Sequence, residues 1–343
     1  MLTTLLLLIL AGGFTAQQAA PERSAPVRIS SNTDADEDPS VMRARDGRFY
    51  VVWSSKRRSG VHLFIKRSDD GLDWFSEERI FAGFEEQYYP SLIESANGVF
   101  HLTWFQLNRK EEDMNVWYAS SRDTRTWTTP VLISESSEPD WAPSILEDSA
   151  GGLRIVWSSS QTGNRELFIS RSQDGGVNWS DEEQITHSPE EDDFPHLVET
   201  KPGEWVMAWT RYRKGSKLLS YVKDASAEIV IARSSDGLRW SEPEVVSPPD
   251  EKTRYLDLLP FLAVDSASQR LYLSWTSSRF GKRGDILLQE ISQDAADIHR
   301  LTESDKEDYD AKFVSAGRPG RFLMVWISNR QGKTDIYSRF VEY

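Results

Sequence analysis

Residues 172–179 read Ser172-Gln173-Asp174-Gly175-Gly176-Val177-Asn178-Trp179 and lie between two short runs of alternating apolar residues. This is the chemistry of a tight turn joining antiparallel strands. Asp174 can accept bonds from backbone N–H groups a few residues on, and Gly176 can supply a positive φ. Trp179 then fills an apolar gap beside the turn while its indole N–H finds an acceptor. Shortened versions recur as Ser68-Asp69-Asp70-Gly71-Leu72-Asp73-Trp74, Ser121-Arg122-Asp123-Thr124-Arg125-Thr126-Trp127 and Ser234-Ser235-Asp236-Gly237-Leu238-Arg239-Trp240. A fifth copy, Ser292-Gln293-Asp294, keeps the opening but carries Ile298 where Trp would stand.

A second landmark recurs independently, an alternating apolar run that ends in Trp: Trp53, Trp104, Trp157, Trp209, Trp275 and Trp326. These lie about fifty residues apart, the period of a four-stranded propeller blade. Each unit opens on an inner strand around Pro39-Ser40, Pro90-Ser91, Pro143-Ser144, Pro195-His196 or Pro260-Phe261, with Ala311-Lys312 in the last. The sixth unit ends at Tyr343 without an outer strand, and Pro26-Val27-Arg28-Ile29-Ser30 matches the missing piece. The expected fold is all-β: a six-bladed β-propeller over residues 21–343, its ring closed by the N-terminal strand completing the last blade. Such closure removes exposed sheet edges.

The Ser-x-Asp turns resemble the Asp-box (BNR) repeat of bacterial neuraminidases, and the resemblance spans nearly the whole chain. It implies a sialidase-like propeller. It says less about activity, because the repeat also occurs in propellers of other chemistry or none.

Composition narrows the partners. Residues 1–20 contain an apolar run at positions 5–10 followed by small residues, which reads as a signal peptide too short to span a bilayer. A secreted or periplasmic protein is expected. The chain has no Cys, which excludes disulfides and thiolate metal sites. A net charge of −14 argues against nucleic acid and against an anionic membrane surface. The five His form no spaced pair, so no metal and no cofactor is expected, although the acidic loops offer oxygen ligands of the kind Ca²⁺ takes.

In a propeller the Ser-x-Asp turns occupy one face and the loops entering the inner strands the other. The second face is the one to read for function. Its loops are acidic, among them Asp38 and Asp193, and several end in an aromatic: Tyr89, Trp141, Phe194, Tyr255 and Tyr309. Neighbouring loops are basic and include Arg165, Arg211, Arg279 and Arg330. Two loops on this face are lengthened, around residues 214–227 and 251–259, and lengthened loops on a regular ring shape binding sites.

Sialidases bind the sugar carboxylate with three arginines and use a Tyr–Glu nucleophile pair with an Asp acid/base. The resemblance implies Tyr309 as nucleophile; Asp38 and Asp193 are acid/base candidates by placement, and Arg211, Arg279 and Arg330, which follow the recurring Trp, are candidates either to converge on the pore as ligand-binding groups or to serve the repeat as structural ones. Tyr89, Trp141, Phe194 and Tyr255 would wall the site. The family's first arginine lies in an Arg-Ile-Pro motif, and this chain reads Glu37-Asp38-Pro39-Ser40 there. Two functions follow: an exo-glycosidase, or a non-catalytic propeller that binds a glycan or protein on the same face. A polysaccharide lyase using His196 as base is a third.

Overall fold

Each unit of the repeat folds as a four-stranded antiparallel sheet in a computed structural model. It describes residues 24–31, 34–83, 85–109, 113–213, 226–247, 255–281, 284–291 and 297–343. The leader at 1–20, the fifth turn at 292–294 and residues 214–225 and 251–254 of the two lengthened loops lie outside those residues. There are six such sheets, and among the described residues there is no helix. The inner strands are Asp36–Arg43, Glu86–Glu94, Asp140–Glu147, Glu191–Lys201, Asp257–Val264 and Asp308–Ser315. Blades 1 to 6 are numbered from these.

The last sheet holds the first strand of the chain. Val27–Arg28 pairs antiparallel with Asp335–Glu342, Val27 opposite Ser338 and Arg28 opposite Tyr337. Arg28 adds an ion pair to Asp335 at 2.5 Å. The ring is closed as the repeat requires.

Both faces of every blade are covered by neighbours, so the second strands read as continuous apolar runs instead of alternating ones. The six recurring tryptophans sit in the middle of those strands at 0–1% exposure. Six apolar clusters fill the seams, one between each adjacent pair of blades. Ile29, from the closing strand, lies in the seam between blades 6 and 1.

Outer strands are held by a hydroxyl device. Ser30, Ser134, Thr186, Ser247 and Thr302 each accept the N–H of a third-strand residue at 2.9–3.0 Å. Blade 1 carries Phe81 at that position, and the Gln87 amide oxygen of blade 2 takes the orphaned Leu63 N–H at 3.5 Å.

The Ser-x-Asp turns share one pattern of hydrogen bonds. Asp70 Oδ1 accepts from Leu72 N and Asp73 N, and Asp174 Oδ1 accepts from Val177 N and Asn178 N. The Asn178 N–H is the leading cause that brings the Asp174 carboxyl down to about 2. Gly176, at φ +89°, turns the chain directly beneath the Tyr118 ring. A Cβ there would overlap the Tyr118 hydroxyl, which cannot retreat because it is tied to His101 Nδ1 at 2.6 Å. Gly176→Ala is therefore expected to destabilise the fold by about 2–4 kcal/mol, overpacking and backbone strain combined. Thermal unfolding reads this directly, and an unchanged Tm would show that the turn is not packed as described.

Candidate functional site at the mouth of the ring

Every inner strand is interrupted at the same place. Asp38, Tyr89, Ala142, Phe194, Leu259 and Asp310 take left-handed conformations, with φ between 49° and 57°, immediately before Pro or, in blade 6, Ala311. The pairing register shifts across each of these positions. Proline cannot donate to the ladder, so a bulge is the way a sheet accommodates it. Positive φ in such residues costs about 1–3 kcal/mol each and needs external support. Hydroxyls of the preceding blade supply it: Phe194 N–H donates to Ser158, Leu259 N–H to Thr210 and Asp310 N–H to Thr276, at 3.0–3.1 Å. In blade 2 the Tyr89 N–H donates to the carboxylate of Asp38 at 3.3 Å.

These six residues ring the upper end of the central channel. Below them the inner strands present Ser40, Ser91, Ser144, His196, Phe261 and Lys312. The enclosed axial space is only ≈ 50 Å³, room for water and not for a sugar. A ligand would therefore lie across the mouth.

The mouth is chemically lopsided. At the junction of blades 6 and 1 it is charged: Asp38 and Asp310 are 7% and 1% exposed, and Lys312 Nζ binds Asp310 Oδ1 at 2.6 Å. Burial above all, then the charges of Asp310 and Glu37, push the Asp38 carboxyl up to about 8. Burial also raises Glu37. Tyr309 belongs to the same group, its phenol pushed upward by burial first and then by Glu37, Asp310 and Asp38. That direction opposes a Tyr nucleophile, which needs help losing its proton.

The opposite side is aromatic. The Tyr89 ring lies 5.7 Å from Phe194 and 5.9 Å from Phe105, and Tyr88 stacks on Phe105 at 5.2 Å. Trp141 stands beside them, its indole N–H donating to Asp193 at 2.8 Å. Asp193 is fully buried, with its other oxygen on Arg165 at 2.8 Å. Burial raises its carboxyl even against Arg165. Both oxygens being engaged, Asp193 orients Trp141 and does not reach the mouth as a free acid.

Several solved structures share this fold. The chain resembles a protein of unknown function from Dyadobacter fermentans, with a TM-score of 0.71 at 16% identity over 94% of this chain and 99% of that one. It also resembles the GH93 α-L-arabinofuranosidase of Fusarium graminearum in complex with arabinobiose: TM-score 0.72, 14% identity, 93% and 98% covered. The Trypanosoma rangeli sialidase in complex with sialic acid gives 0.67 at 12% identity, over 94% of this chain and 58% of that one. The fold is the sialidase-like six-bladed propeller. Neither a family model nor a curated protein sequence matches the chain.

Within this sialidase-like propeller the three expected ligand arginines do not line the channel. Each serves a buried aspartate at the start of its own inner strand. Arg211 binds Asp192 with two bonds at 2.8 and 2.9 Å, Arg279 binds Asp257 at 2.5 Å and Arg330 binds Asp308 at 2.9 Å. All three aspartates are 0–1% exposed, and such charges require a partner. The expected convergence of these arginines on the pore is replaced by scaffold pairing. Tyr255 is likewise away from the channel, under the Arg279 guanidinium at 4.6 Å. His196, the lyase candidate, lines the channel, where burial pushes its imidazole down to about 3 and Nδ1 accepts the Leu262 N–H at 3.2 Å.

Asp38, Tyr309, Tyr89 and Phe194 are thus brought to the mouth, with Trp141 at its rim. Asp310 and Lys312 join them without having been expected from the sequence. Their one signal there is the inner strand that departs from the Pro repeat, Asp310-Ala311-Lys312.

Proposed function

We propose that the protein is an exported glycoside hydrolase that acts on a neutral glycan lying across the mouth of the ring. The observation that carries this reading is the pair of buried carboxyls, Asp38 and Asp310, on adjacent blades beside an aromatic wall. Hydrolysis of a glycosidic bond asks two carboxyl groups to play opposite parts, one protonated and one ionised. Here their surroundings differ. Lys312 compensates Asp310, whereas Asp38 has no ion pair among the described residues and faces Asp310 and Glu37. Asp38 would protonate the leaving oxygen, and Asp310 would serve as base or nucleophile.

Tyr89, Phe194 and Trp141 supply the flat apolar surface on which a sugar ring stacks, and the protonated Tyr309 supplies a donor. The arginines that would recognise an acidic sugar are committed to Asp192, Asp257 and Asp308, which favours a neutral substrate over sialic acid. The sugar-bound arabinofuranosidase and sialidase that share the fold support the class of reaction. The apolar run at 5–10 supports export, and the N-terminus of the released product would read the cleavage site.

The test is release of sugar by the purified chain from neutral aryl glycosides, arabino-oligosaccharides and a sialylated glycoprotein. Turnover of a neutral substrate, without sialic acid release, and its loss in Asp310→Asn is the expected result. A folded wild-type protein that releases nothing from the whole panel would overturn it in favour of a non-catalytic glycan-binding propeller.

A further inference from the structure

A second concavity, ≈ 580 Å³, runs down the flank of the ring between blades 3 and 4. The two preceding seams are filled at the corresponding place by an aromatic. Between blades 1 and 2, Phe81 packs 4.7 Å from Trp104 and 6.0 Å from Trp127, centroid to centroid. Between blades 2 and 3, Tyr118 packs 5.0 Å from Trp179. The backbone bonds Ile80 N to Leu63 O, Ile133 N to Val116 O and Ile185 N to Leu167 O fix the correspondence. Blade 3 carries Thr186 where blade 1 has Phe81, and Ile169 where blade 2 has Tyr118. Neither position carries an aromatic filler here, and Trp240 and Leu238 line the groove.

The groove that results has the composition of a sugar site. Trp240 is half-buried with Leu238 beside it at 53% exposure, giving an apolar platform. Arg171 is neutralised by Glu183 at 2.7 Å and Arg211, which also lines the groove, by Asp192 at 2.8 Å, while Gln184 and His187 bring hydrogen-bonding groups to the rim. A flat aromatic floor under a polar, charge-compensated rim suits a ligand with one apolar and one hydroxylated face. An apolar peptide would need a contiguous apolar surface, which this rim does not offer. We propose that this flank groove is a second glycan-binding site, separate from the mouth, which takes about two or three units of a neutral oligosaccharide. Its role would be to hold a polymer while the mouth works on it, and its binding does not depend on hydrolysis.

Isothermal titration of the whole chain with arabino-, xylo-, cello- and maltotetraose tests it. The expected result is saturable binding of at least one probe that persists in the Asp38→Asn/Tyr89→Ala double variant, whose mouth has lost both its proton donor and its stacking ring. Trp240→Ala should weaken it by about tenfold or more. The surface double variant Gln184→Ala/His187→Ala should weaken it in the same direction and guards against a folding defect in Trp240→Ala. No saturable binding by any probe, or binding that survives both groove variants and is lost in Asp38→Asn/Tyr89→Ala, overturns the proposal. Neither result bears on whether the mouth hydrolyses a glycoside.

Discussion

Asp38→Asn is expected to lower turnover of a neutral glycoside by about 10²–10⁴, the usual worth of a positioned proton donor, and to make the protein more stable at pH 8. The two effects have one cause. The Asp38 carboxyl is raised from 3.8 to about 8 in the folded chain, by burial first and then by Asp310 and Glu37. The folded chain therefore holds a proton that the unfolded chain has already released. Stability is complete below the unfolded pKa near 4 and is lost as pH rises toward about 8. The amide cannot ionise and removes that dependence. At pH 8 the gain should be on the order of a few kcal/mol, since a tenfold change in proton affinity is worth about 1.4 kcal/mol. Thermal unfolding at pH 5 and pH 8 checks it: the variant's Tm advantage must grow with pH. A variant less stable than wild type at both would mean that Asp38 is an ionised structural acceptor for Tyr89 N–H.

Arg211→Met is expected to cost about 3–5 kcal/mol of unfolding free energy, because it strands the Asp192 carboxylate in a buried site. Asp192 is 0% exposed, and Arg211 meets it through two bonds of 2.8 and 2.9 Å. The control is Arg109→Met, whose partner Glu86 sits 2.7 Å away but whose own side chain is 67% exposed. Exposed pairs of that kind contribute about 0–1 kcal/mol. Urea unfolding of both variants decides between scaffold and ligand roles. If Arg211→Met unfolds like wild type but no longer binds or cleaves glycans, the arginine belongs to the site after all.

Much of this architecture is legible in the sequence. The fifty-residue Trp period and the missing outer strand after residues 335–342 together determine six blades and their closure by Val27–Arg28. Asp38, Tyr89 and Phe194 are reachable because each precedes the recurring Pro, the position that folds into the left-handed ring. The arginines mislead for a local reason. Asp192 and Arg211 are direct cross-strand neighbours, and their mutual charge satisfies both before any ligand arrives. A roll of loop charges does not reveal which of them are spent within one blade. The Asp38–Asp310 pair is hidden for the opposite reason, since it exists only where blade 6 meets blade 1 across the closure. Asp193 shows a third limit: its placement near the mouth is foreseeable, but not that Trp141 and Arg165 occupy both of its oxygens.

The closing strand also sets an order of events. Val27 and Arg28 find Ser338 and Tyr337 only after all the blades between them have been made, so this contact of very long range waits for the whole ring. Until then Ile29 has no seam to fill, and the second strand of blade 6, Arg321–Ser328, is an open edge. Folding governed by such distant pairing is slow, and incomplete chains present an edge on which another chain can pair. The first strand to be made is among the last that can be placed.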